Sequence, residues 1–121
     1  MANEIAFSLR CTVTNGTFKH DLIPTESPQF DQTTIGGGSL WVDVGTAAEN
    51  IAFADGGPGY IFLKNHDATN FVEFRETTAT TSLGRLDAGG GIAVFKLLSG
   101  STLEMKADTS ACKVEIRYAN A

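Results

Sequence analysis

The chain has 121 residues, 42% hydrophobic and 19% charged, which is enough for one domain with a core of its own. Nine Lys and Arg against fourteen Asp and Glu leave a net charge of −5, with no two basic residues adjacent. That argues against nucleic-acid binding, which usually shows a basic stripe for phosphate contacts. The longest apolar runs fall far short of the ~18 residues of a membrane helix, and MANEIAFSLR has no basic stretch leading into an apolar one, so neither a membrane span nor a signal peptide is expected.

Taken in chain order, the elements alternate with period two. Residues 4–14 place Ile5, Phe7, Leu9, Cys11 and Val13 on one face and polar residues on the other. Asn15-Gly16 is expected to turn a hairpin, because both residues tolerate positive φ, and the return strand 17–23 is expected to stop at Pro24. The polar, proline-containing stretch 24–38 reads as a long connection or an edge strand. Further strands are expected over 39–45, 50–54, 59–64, 70–76, 80–86, 91–97, 102–107 and 111–118, with glycine-rich turns between them. Thr46-Ala-Ala-Glu49 resembles a capping box that would nucleate one helical turn, but no apolar stripe of period 3.6 follows it. About eight to ten short strands in one domain, 1–121, make the chain an all-β antiparallel sandwich, jelly roll or small barrel.

Candidate chemistry is sparse. His66 and Asp67 stand side by side in KNHDATN, between two apolar runs. A metal or proton-transfer site needs converging partners, and the other histidine, His20, lies on the first hairpin. The pair is therefore expected to turn the chain and face solvent. Cys11 and Cys112 belong to no CxxC or Cys/His cluster; each falls on an apolar stripe, as a buried free thiol or as a disulfide joining the first strand to the last. The glycine clusters at 36–38 and 89–91 lead into strands, so no phosphate cradle is expected. No calcium-loop spacing and no GxSxG or SxxK occurs. No catalytic residue, metal or cofactor is expected.

Strands without a polar face are more informative. In GYIFLK, Tyr60 and Phe62 oppose Ile61 and Leu63; in SLWVDV, Trp41 opposes Leu40 and Val42; in NIAFA, Phe53 opposes two alanines. A sandwich buries one face of each sheet, so something else must cover the other: the 24–38 segment, or another subunit. Trp41, Phe53, Tyr60 and Phe62 are the candidate contact residues.

The stretches YIFLKNHDATNFVEF, GRLDAGGGIAVFKL and LEMKADTSACKVEIRYA, from Tyr60 to Ala121, resemble the C-terminal half of small phage structural proteins. They are similar to those of bacteriophage capsid cement (decoration) proteins with a single jelly roll. The resemblance implies a non-enzymatic homotrimer on the outer capsid, assembled in the host cytoplasm, with the major capsid protein as partner and neither nucleic acid nor membrane. On that reading the four contact residues face a subunit or the capsid. A tail or fibre module and a carbohydrate-binding sandwich, with Trp41 and Tyr60 as platforms, are the alternatives.

Overall fold

The computed structural model describes residues 4–53 and 58–120. By their internal contacts the residues form two compact units, Met1–Thr34 and Ile35–Ala121. None of the described residues is helical, and every strand pairing is antiparallel.

The first unit is two ribbons. β1 (Ile5–Ala6) pairs with β4 (Gln29–Phe30), and β2 (Leu9–Asn15) with β3 (Phe18–Glu26). Asn15 pairs with Phe18, so the two-residue loop is Gly16-Thr17, one residue later than the sequence suggests. Gly16 sits at φ 60°, which the primed hairpin turns ask of their first position and which Cβ-bearing residues resist. Pro24 does not end β3. The ladder slips twice around Cys11, whose partner is Ile23 while Leu9 meets Glu26 and Thr12 meets Asp21. Pro24, with no N–H to donate, falls in the first irregularity, where the ladder has no bond to lose. The segment 24–38 is thus no single connection: it finishes β3, makes β4 and opens the next strand.

Among its described residues the second unit holds eight strands: β5 (Gly37–Val44), β6 (Glu49–Asn50), β7 (Tyr60–Asn65), β8 (Val72–Glu76), β9 (Gly84–Leu86), β10 (Ile92–Lys96), β11 (Leu103–Ala107) and β12 (Cys112–Ala119). They pair as a nested ribbon, β8 with β9, β7 with β10, β6 with β11 and β5 with β12. Rolled up, the ribbon makes two four-stranded sheets, in the orders β10-β7-β12-β5 and β6-β11-β8-β9. That interleaving is the jelly roll. The inner faces meet in a core that includes Val44, Ile61, Leu63, Val72, Leu86, Met105, Val114 and Ile116, all at most 1% exposed. Two expected strands shrink. β6 keeps only Glu49 and Asn50, after which Ile51 turns inward and its N–H bonds Leu103 O at 2.9 Å. β9 keeps only 84–86, beginning where Gly84 leaves room for the Phe74 ring, which a Cβ would approach to 2.6 Å. The expected helical turn at Thr46–Glu49 does not form; the Glu49 carboxylate instead accepts the Gly45 N–H at 3.1 Å.

A fully buried polar side chain lies within this core. Asn65, 0% exposed at the end of β7, donates its amide to Asn70 O at 2.8 Å and Leu86 O at 3.2 Å, and accepts the Asp67 N–H at 2.9 Å. It ties the β7–β8 turn to the end of β9. Replacing Asn65 by Ala strands these backbone groups away from water and should lower unfolding free energy by about 2–4 kcal/mol, read from denaturant midpoints at constant m-value. Both cysteines are free. Cys112 is fully buried, which pushes its thiol pKa up, whereas Cys11 is half-buried. A thiol reagent should therefore label Cys11 in the native protein and Cys112 only after unfolding; equal native rates would contradict the buried position of Cys112.

Candidate association face

The two sheets present unlike outer faces. On β6-β11-β8-β9 the outward residues are largely charged, and several of them bond one another. Arg75 Nε lies 2.5 Å from Glu104 Oε1, the Thr77 hydroxyl has Asn50 Oδ1 at 2.8 Å and Glu104 Oε2 at 3.1 Å as acceptors for its one proton, and Ser82 donates to Glu73 at 2.9 Å. Alternation along β8 and β11 sends Glu73, Arg75, Glu104 and Lys106 outward while Val72, Phe74, Met105 and Ala107 point in.

The outer face of β10-β7-β12-β5 is apolar and cationic. Register sets its residues in rows across four strands: Trp41, Glu115, Lys64 and Ile92; then Ser39, Arg117, Phe62 and Val94; then Gly37, Ala119, Tyr60 and Lys96. Trp41 is 54% exposed, Ile92 60% and Val94 43%. Of the four expected contact residues, three, Trp41, Tyr60 and Phe62, share this face. Phe53 does not. It lies in the segment after β6, half-buried, its ring 5.1 Å from that of Tyr118 in an edge-to-face contact that closes the margin of the core. Ile92 and Val94 join the other three, a placement that the short apolar run of GIAVFKL does not reveal by itself; the register of β10 against β7 sends them outward.

His66 corrects the expectation of a solvated pair. Asp67 does turn the chain, its Oδ1 accepting the N–H groups of Thr69 at 2.8 Å and Asn70 at 2.7 Å. These bonds hold its carboxyl below the usual carboxylate range. His66 instead lies against the face. Its Nε2 is 2.8 Å from Glu115 Oε1 and its ring centroid 4.7 Å from that of Trp41. The other Glu115 oxygen lies 2.5 Å from Arg117 Nε. The partnership needed tertiary structure, since 49 residues separate His66 from Glu115. Arg117 first and His66 second favour the charged Glu115 and hold its pKa below the ordinary value, against the opposing effect of burial. Nearby, Lys96 Nζ stands 5.5 Å from the centroid of the Tyr60 ring, a cation–π contact.

As chemistry, this arrangement can bind but lacks the parts of a metal centre. Among the described residues, no three His, Cys, Asp or Glu converge to hold a metal ion. A cleft beside Phe53, lined by Ile51, Leu97, Thr102 and Leu103, has no titratable side chain among its described lining.

No family model matches the sequence and no curated protein sequence matches it. A solved structure titled "Bacillus endospore appendages form a novel family of disulfide-linked pili" superposes with a TM-score of 0.40 at 18% identity, over 75% of this chain and 93% of that one. A likeness so low transfers neither fold nor function.

The pKa of Glu115 is lower in the folded chain than in the unfolded one. Its contribution to stability is therefore present above the ordinary carboxylate range and lost as pH falls through the folded value. Glu115→Gln should lower the denaturation midpoint at pH 7 and lower it less at pH 3. An equal loss at both pH values would mean that the charge of Glu115 is not what stabilises the face.

Proposed function

We propose that the chain is a non-enzymatic structural protein, a cement or decoration subunit that binds the outer surface of a phage major capsid protein shell and stabilises it. One observation carries this reading: a compact jelly roll lines one outer sheet face with charged residues, Arg75 and Glu104 bonded to each other, and leaves the other apolar, cationic and open. A face built from aromatic and aliphatic anchors with charged neighbours suits protein association. Cement action then follows from mass action. Contacts offered only by the assembled shell lower the free energy of that shell relative to any opened state, by an amount set by subunit concentration over Kd. A standard interface of ~1,600 Å², repeated across the lattice, is sufficient. The work asked of the chain is adhesion, and no cofactor enters it.

The resemblance of residues 60–121 to phage cement proteins supports this reading, as does the position of Trp41, Tyr60 and Phe62 on one face. Exposure of Trp41 beside Arg117 and Glu115 favours carbohydrate binding as a second reading.

Antibody against the chain should decorate the heads of phage particles that carry the gene. Purified heads should sediment with added wild-type chain, and Trp41→Glu should reduce the bound fraction by at least ~10-fold. Label confined to tails would move the protein to a tail or fibre role. Unlabelled particles together with glycan-array binding would support the sugar reading instead.

A further inference from the structure

We propose that the open face docks a second copy of the same chain, head to tail, through that copy's acidic loop end. This rests on the reading that the face is an association surface and assigns it to the contact between copies, so that Trp41→Glu acts on shell binding through loss of the assembled copies rather than through a contact with the shell. Charge is partitioned unevenly within the sandwich unit. The face holds Lys64, Lys96, Lys113 and Arg117, four of the chain's nine basic residues, but only two of its fourteen acids. Both acids are already engaged, Glu115 by His66 and Arg117, and Asp43 by Lys113 at 3.5 Å. Lys64 stands directly opposite Glu115 in the ladder. Yet neither Lys64 nor Lys96 forms an ion pair among the described residues.

Outside this face, Ile35–Ala121 carries eight acidic and three basic residues. Three of those acids lie in turns gathered at one end of the jelly roll. The Gly89 N–H bonds Asp67 O at 2.7 Å, and the Asp108 N–H bonds Phe71 O at 3.0 Å, so the connections bearing Asp67, Asp87 and Asp108 are neighbours. Only Asp87 has an ion-pair partner, Arg85 at 2.8 Å, among the described residues.

Two copies meeting face to face would set Lys64 and Lys96, which no ion pair among the described residues neutralises, against the same two lysines of the other copy, an arrangement that like-charge repulsion disfavours. A copy presenting its loop end sets Lys64 and Lys96 against Asp67 and Asp108. Trp41, Ile92 and Val94 supply the apolar contact, and the charges choose the orientation. A contact between two different surfaces leaves one of each open on every added copy, so it repeats, and it closes into a ring where the rotation between copies returns on itself. A nucleic acid suits the face less well: the Trp41 ring already has His66 against it, the Tyr60 ring has Lys96, and aliphatic Ile92 and Val94 offer no stacking plane.

The test is solution mass by light scattering of the full chain. Wild type should exceed 12.8 kDa as a concentration-independent multiple at low salt, and dissociate toward 12.8 kDa in about 1 M sodium chloride, where the screening length is ~3 Å. Lys64→Glu with Lys96→Glu, folded by circular dichroism, should associate at least ~10-fold more weakly, and so should Asp108→Lys. Mixed together, the two variants should form dimers, because one retains the face and the other the acidic end; a symmetric contact would not be rescued this way. A monomer at every salt concentration overturns the proposal, as does an oligomer indifferent to the lysine reversals. Tighter binding of an oligothymidine or of heparin than of a second copy, lost in the lysine variant, also overturns it. Head decoration by a chain that stays monomeric would sink this inference and spare the cement reading. A lysine-dependent oligomer that never labels particles would do the reverse.

Discussion

The amide of Asn65 is the constraint on which the working end of the molecule depends. Polar and fully buried, it needs partners, and it finds them in the backbone of the turn that follows β7 and of the strand end at Leu86. Once those bonds are made, the chain cannot continue straight beyond β7. Asp67 is brought round to cap the turn, and His66 is left on the outer side, beside Lys113, whose carbonyl accepts its N–H at 2.9 Å. The His66 ring then reaches both Trp41 and Glu115. A buried hydrogen-bond requirement on the core side thus fixes the chemistry of the opposite face.

The nested ribbon explains the rest. Because β5 pairs with β12 and β7 with both β12 and β10, strands from the two ends and the middle of the sandwich unit lie side by side. Their inward residues make half of the core. Their outward residues collect Trp41, Phe62, Ile92 and Val94, which are far apart in sequence, into one surface. The other sheet shares the pleat and the core but closes its outer side with Arg75–Glu104 and its hydroxyl neighbours. The stability of the fold does not explain the difference between the two faces. A jelly roll would be as well packed with both outer faces polar.

The first unit follows the same physics on a smaller scale. A two-stranded ribbon has little to bury, and it is marginal alone. Phe18 at 58% and Leu22 at 61% remain exposed on it. Its irregular ladder around Cys11 shows how a proline is accommodated in a strand: the bulge removes the need for the missing donor.

Much of the fold was legible from residues alone. Alternation in 59–64, 91–97, 102–107 and 111–118 located β7, β10, β11 and β12, because a period-two pattern is the direct imprint of a pleated strand with one side in a core. The opposed faces of GYIFLK were legible for the same reason. Three features were not. The hairpin loop fell at Gly16-Thr17, since a one-residue offset leaves the local turn signal unchanged. Phe53 joined the core margin rather than the open face, because alternation assumes a strand and the chain after Asn50 is not one. His66 acquired Glu115, Arg117 and Trp41 as its surroundings only when β12 lay between β7 and β5. Sequence by itself determined the strands and which of their sides are apolar, because side-chain alternation is local. Only the tertiary structure decided which apolar sides meet in the core and which remain outside, because strand order depends on pairings between residues far apart in the chain.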